Sequence, residues 1–238
     1  MAVRKAGRLA ASVAVVALFG AVVTGCNSDD DGGSGSGSGK VKESPTAAAT
    51  DLSKVPAEVK GGVITVGDPK AKHTVKVYED PRCPYCKKFE EGGAQALVEP
   101  LTAGDVKVQY TIASFLDKNL GGHGSVNAAN ALRASVDAGK FPQFHAAVFA
   151  QQPEESEDGF TSAFLLKIAD KVELRDPAFK KAVLNGTHKK WVGTAMKAFE
   201  DDGITGTPTV VIDGKKVTDS DALYTEAGFA GELKKAGI

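Results

Sequence analysis

The spacing of apolar residues changes period twice along this chain. Residues 62–66 are a short run rich in β-branched side chains, Gly67-Asp68-Pro69 is a turn, and residues 74–78 alternate apolar with polar, so both runs read as strands. Beyond Cys86, Phe89, Ala94, Leu97, Val98 and Leu101 recur at three- and four-residue steps, which predicts a helix with a weak point at Gly92-Gly93. Val106, Val108, Tyr110 and Ile112 alternate strictly and give a third strand. The helical period then holds over residues 125–202, where Gly139, Pro142, Asp176-Pro177, Asn185-Gly186 and Gly203 divide it into four or five short helices. Trp191, with Met196 and Phe199, is expected in the core of that helical block. Residues 209–212 and 216–218 flank Asp213-Gly214, a strong hairpin signal, and a last helix capped near Asp219 runs to Lys235. The order β-β-α-β, helices, β-β-α predicts an α/β fold with a mostly central sheet and a helical insertion. No internal repeat is visible.

Composition narrows the class. A chain of 238 residues, 42% hydrophobic and with a formal net charge of -1, can bury one sizeable core and has no charge excess to recruit nucleic acid. Arg4, Lys5 and Arg8 precede an uncharged run over residues 9–23, the layout of an export signal and a short one for spanning a bilayer. It ends in Val23-Thr24-Gly25-Cys26, which resembles the bacterial lipobox, where the cysteine is lipidated and becomes the mature N-terminus. A plain signal peptide or an uncleaved anchor are the alternatives. Residues 1–25 are thus expected to be a lipoprotein signal. Residues 26–58, with three consecutive Asp, Gly-Ser alternation and an Ala run, are expected to be a lipidated, flexible linker too polar to order itself.

Of the three cysteines, Cys83 and Cys86 stand in Asp80-Pro81-Arg82-Cys83-Pro84-Tyr85-Cys86, after a strand and before a helix. A thiolate at a helix N-terminus meets the positive end of the macrodipole and unpaired backbone N–H groups, so its pKa falls. Cys83 is therefore the candidate nucleophile. Pro84 suits the first helical position, and Cys86, one turn in, is placed to resolve a mixed disulfide. The other reading of the spacing is half a zinc site. Its remaining ligands would come from His73, His123, His145, His188 or a carboxylate, none of which supplies an H-x3-5-H pair. No metal or cofactor is expected. His123 reads as a structural loop residue and His145 as a packed or half-exposed helix residue.

With CPYC after a strand, a helical insertion, and Gly206-Thr207-Pro208-Thr209 opening the penultimate strand, residues 61–238 resemble DsbA-like members of the thioredoxin superfamily. The resemblance implies a thioredoxin fold (residues 59–122 and 203–238) with an inserted all-helical domain (residues 123–202). It implies a cis Thr207–Pro208 bond beside the redox pair, Thr207 and Pro208 binding an extended substrate segment, and Pro84 and Tyr85 as residues of the redox motif. It further implies a disulfide oxidoreductase, monomeric, acting on exported cysteine-containing proteins at the outer face of the cell membrane, with a membrane partner reoxidising it. A reductase or isomerase, and a tethered binding module or holdase with a static disulfide, are the competing readings. Many such proteins bury an acid six positions before the first cysteine; here Val77 stands there. Glu79 and Asp80 are nearby acids, and Asp80 is expected to be a solvated turn residue. Arg82, Lys87 and Lys88 are read as solvated charges that add positive potential at Cys83.

Overall fold

The computed structural model describes residues 52–238; the expected export signal, Cys26 and the expected linker as far as residue 51 lie outside the described residues. A 3₁₀ turn (Leu52–Lys54) leads into β1 (Ala57–Lys60), β2 (Val63–Val66) and β3 (His73–Glu79). Then come α1 (Pro84–Glu91), a 3₁₀ turn (Gly93–Leu97), α2 (Val98–Ala103) and β4 (Val106–Ile112). Six helices follow: α3 (Leu116–Leu120), α4 (Gly124–Asp137), α5 (Phe141–Ala150), α6 (Ser162–Lys171), α7 (Pro177–Asn185) and α8 (Lys189–Asp201). The chain closes with β5 (Thr209–Ile212), β6 (Lys215–Lys216), a 3₁₀ turn (Asp221–Tyr224) and α9 (Glu226–Lys235).

The sheet has the order β1-β2-β4-β3-β5-β6. β3 and β4 run parallel and every other neighbouring pair is antiparallel. β3 thus lies inside the sheet, and its C-terminal end delivers the chain to the cysteines. Val75, Val77, Val108 and Ile112 are fully buried along this central pair, as expected of strands covered on both faces. Phe89 of α1 meets Phe229 of α9 edge to face at 5.4 Å.

Most elements follow the sequence pattern, including the cap at Asp176, whose side chain accepts from Phe179 N at 2.8 Å, and the left-handed stop at Gly186. Four features depart from it. β1 is a four-residue Ala-Glu-Val-Lys alternation, too short to have been read as a strand; it overlaps the end of the expected linker over residues 26–58 and pairs with β2 from Ala57↔Val66 to Lys60↔Val63. The helix after the cysteines is broken into three pieces because the 3₁₀ turn at Leu223 and Tyr224 lies against it. A Cβ on Gly92 would sit 2.4 Å from the Tyr224 carbonyl oxygen and one on Gly93 2.2 Å from that of Leu223. Asp219 caps the 3₁₀ turn, accepting from Asp221 N and Ala222 N, while Thr225 caps α9 through Gly228 N. Finally, Trp191 is only half-buried and donates from Nε1 to the Gly61 carbonyl at 2.8 Å. Met196 and Phe199 pack with Tyr78 of β3 and Phe115, so this stripe of α8 faces the sheet as well as its own helices.

Candidate active site

Cys83 caps α1 with extended backbone (φ -72°, ψ 118°) and Pro84 occupies the first turn, as the dipeptide requires. Cys83 is 6% exposed and Cys86 fully buried, both as free thiols. The peptide bond between Thr207 and Pro208 is cis, and the protonated Cys83 thiol donates to the Thr207 carbonyl at 3.4 Å. The strand opening at Thr207 and the helix opening at Cys83 therefore meet, 124 residues apart in sequence. Tyr85 is half exposed, and its ring lies 5.9 Å from that of Tyr224 with Lys88 Nζ over it at 4.9 Å.

The two sulfurs are driven apart electrostatically. The Cys83 thiol is lowered to about 6, first by the hydrogen bond that Cys86 gives it, against partial burial, and then by Thr207 and the N–H groups of Cys86 and Tyr85. Burial pushes the Cys86 thiol well above the ordinary range, and the proximity of Cys83 and Glu79 adds to the rise. Of the three charges expected to be solvated here, Arg82 is buried, while Lys87 pairs with Glu91 at 3.8 Å.

The buried acid is present at a position the motif does not mark. Glu79, two residues beyond Val77 at the end of β3, is fully buried and shares a hydrogen bond with His145 Nε2 at 2.6 Å. His145 is buried and keeps a neutral ring because burial lowers its pKa. Its Nδ1 lies 3.6 Å from Glu90 Oε2. Burial raises Glu79 well above the carboxylate range and Glu90 to about 8. Glu79 Oε2 and Glu90 Oε1 have no other donor, so a proton on Glu90 given to Glu79 satisfies both. These three residues also offer ligand atoms within 4.8 Å of one another, as a metal site would. The three are also joined to one another directly, His145 turning Nε2 to Glu79 at 2.6 Å and Nδ1 toward Glu90 at 3.6 Å.

A second buried network braces the redox turn. Asp80 is fully buried rather than solvated and accepts from Ser125 Oγ (2.6 Å), Arg82 N (3.0 Å) and Leu116 N (3.1 Å); burial raises its pKa to about 6. Arg82 gives its guanidinium to Asp117 (2.9 Å) and to the carbonyls of Gly121 (2.7 Å) and Glu155 (2.9 Å). Gln152, after α5, donates to the carbonyls of Pro81 and Cys83 at 2.7 and 2.9 Å. His123, by contrast, is exposed at the start of α4 with no side-chain cap bond.

Comparison with known proteins agrees with this arrangement. A family model described as Thioredoxin matches residues 59–227. Reduced DsbA from Mycobacterium tuberculosis superposes with a TM-score of 0.62 at 26% identity, over 74% of this chain and 92% of that one. The reduced disulfide bond oxidoreductase DsbG of the same organism gives 0.60 at 26%, over 77% and 88%. MdbA, a thiol-disulfide oxidoreductase from Actinomyces oris, gives 0.61 at 25%, over 74% and 90%. Among curated proteins, the Na(+)/H(+) antiporter NhaA 3 of Salinispora tropica is 25% identical over 150 residues, 63% of this chain but 21% of that protein's length.

Proposed function

We propose a function on the premise that this chain belongs to the thioredoxin family, whose model spans most of the residues that carry its fold. The chain is a thiol-disulfide oxidoreductase of the DsbA-like kind, and it forms disulfides in exported proteins. The observation that carries the reading is the asymmetry of the pair: a low-pKa sulfur at the mouth of a helix beside Thr207, and a buried, high-pKa sulfur one turn in.

A substrate thiolate attacks Cys83 Sγ of the oxidised pair, the S–S bond breaks, and Cys86 leaves as a thiolate that takes up a proton. A second substrate thiolate then attacks the substrate sulfur of the mixed disulfide and expels Cys83, whose low pKa makes it the better leaving group. The substrate ends oxidised and the pair reduced. Tyr85 and Thr207 flank Cys83 and receive the substrate chain. Glu79, coupled to both sulfurs, exchanges the proton of Cys86. Reoxidation by a membrane partner returns the disulfide, and a lipid on Cys26 holds the protein at the outer face of the membrane. Among the described residues no helix is long and apolar enough to cross a membrane.

The test is trapping. Cys86→Ala, expressed with its signal, should accumulate reducible adducts with exported proteins at Cys83, and Cys83→Ala should accumulate none. Identical gels from the two variants would end the catalytic reading in favour of a static pair. A reduction potential near the -270 mV of thioredoxin, in place of one on the oxidising side of glutathione, would assign the protein as a reductase.

A further inference from the structure

Tyr78 stands five residues before Cys83 on β3, and Asp202 stands five residues before Thr207. The Tyr78 side chain is buried, its ring edge-on to Phe199 at 6.3 Å. A buried tyrosine hydroxyl needs a partner, and this one donates to Asp202 Oδ2 at 2.5 Å. Burial, and then the neighbouring carboxylate, raise its pKa, so it stays a donor. The main chain of Tyr78 meanwhile pairs with Thr209 in the antiparallel register of β3 and β5. One residue thus grips both ends of the segment 202–209, by its hydroxyl at Asp202 and by its backbone at Thr209. That segment carries Thr207 and Pro208, and its sequence gives it little stiffness of its own. Asp202 caps the C-terminus of α8, Gly203 turns left-handed (φ 69°), and residues 204–208 belong to neither helix nor strand. Gly203 and Gly206 lack the side chains that would restrict them. Ile204 packs against Tyr78 and Phe199, and Thr209 Oγ1 donates to the Gly206 carbonyl at 2.9 Å. Lys76 Nζ lies 3.7 Å from the same Asp202 oxygen, but both side chains are 43% exposed, so that ion pair contributes little.

We propose that Tyr78 and Asp202 are positioning residues: their hydrogen bond fixes where the Thr207 main chain stands relative to Cys83, and so how well an extended substrate segment aligns its cysteine for attack. The inference rests on the disulfide exchange proposed above and adds what holds the strand on which the substrate lies. Both residues act through Thr207 and not on the sulfurs. A substrate that lies along Thr207 depends on the pair. A thiol too small to reach along that strand attacks Cys83 Sγ without using it.

The experiment uses the full chain with its Cys83–Cys86 disulfide formed. Reduction of that bond would be timed with two thiols, an unstructured peptide carrying one cysteine and 2-mercaptoethanol. With each, the attacking thiolate forms a mixed disulfide on Cys83 and Cys86 leaves as a thiolate. Tyr78→Phe keeps the ring against Phe199 and removes only the hydroxyl. It should slow the peptide reaction about tenfold, the order of a hydrogen bond to a charged acceptor, and leave the 2-mercaptoethanol rate within about twofold. Asp202→Ala should do the same, and the double variant should be no slower than either single one, because both remove one interaction. Asp202→Asn still offers an oxygen to Tyr78 and should recover most of the peptide rate. Lys76→Ala should leave both rates unchanged. The half-exposed site of Asp202 tolerates substitution, so its variants carry the test if Tyr78→Phe fails to fold. A wild-type peptide rate in Asp202→Ala overturns the proposal. So do equal losses with both thiols, which mark a general disturbance of the redox turn, and additive losses in the double variant, which mean that the two side chains act separately. If wild type reacts with neither thiol, the disulfide exchange itself is overturned.

Discussion

At the scale of single residues, the chemistry is a matter of which groups are ionised. Cys83 is an acid whose folded pKa is depressed to about 6, so between that pH and the ordinary thiol range the native reduced state binds fewer protons than the unfolded chain. Its contribution to stability is therefore complete above the unfolded pKa and is lost as pH falls through about 6. The stability of reduced wild type relative to reduced Cys83→Ser should rise with pH across that window. Chemical denaturation at pH 5.5, 7 and 8.5 would show it, and a flat difference would contradict the lowered pKa. The nucleophile was legible in the sequence because a Cys-Pro at a strand-to-helix junction has few other uses. Glu79 was legible too, though by parity rather than motif. Val75, Val77 and Glu79 alternate onto one side of β3, so the side that buries two valines buries the acid. Looking six residues before Cys83 finds Val77 and misses it. His145 could not be found that way, since nothing local to α5 says that an acid from β3 lies opposite.

At the scale of elements, the link between the redox turn and the helices that follow β4 is the part the sequence concealed. Arg82 read as a surface charge, yet its side chain and that of Asp117 are 2% and 9% exposed and 2.9 Å apart. Asp117 also accepts from Ser125 N and Val126 N at 2.9 Å, closing the first turn of α4. Removing one partner of a buried ion pair strands the other without solvent, so Asp117→Ala should cost about 3–5 kcal/mol in urea unfolding. Asp201→Ala, which breaks an exposed pair with Lys197 at 2.6 Å, should leave the urea midpoint unchanged. Equal effects would mean that the buried network is ornamental. Helix punctuation was readable because caps are local: Asp176, Gly186 and Gly203 need only their neighbours. The break after Glu91 was not fully readable, because its cause, the backbone at Leu223 and Tyr224, lies far along the chain.

At the scale of the whole molecule, the alternating periods predicted the α/β order of elements and the resemblance implied the thioredoxin fold, while the order of strands in the sheet was not readable and the last strand, expected over residues 216–218, is the short β6 at Lys215–Lys216. The proposed membrane attachment belongs to this scale as well. Cys26→Ser should abolish lipid labelling and release the protein from the membrane fraction, and undiminished labelling would refute the anchor. The brace from Gln152 has a further consequence, in time rather than space. The carbonyls it holds precede it by 71 and 69 residues, and the Thr207 carbonyl stands 124 residues after Cys83. A chain emerging N-terminus first therefore presents CPYC long before the residues that shape it. Until they arrive the redox turn lacks its brace and Cys83 lacks its contact with the Thr207 carbonyl, so the site is complete only once the chain has finished folding.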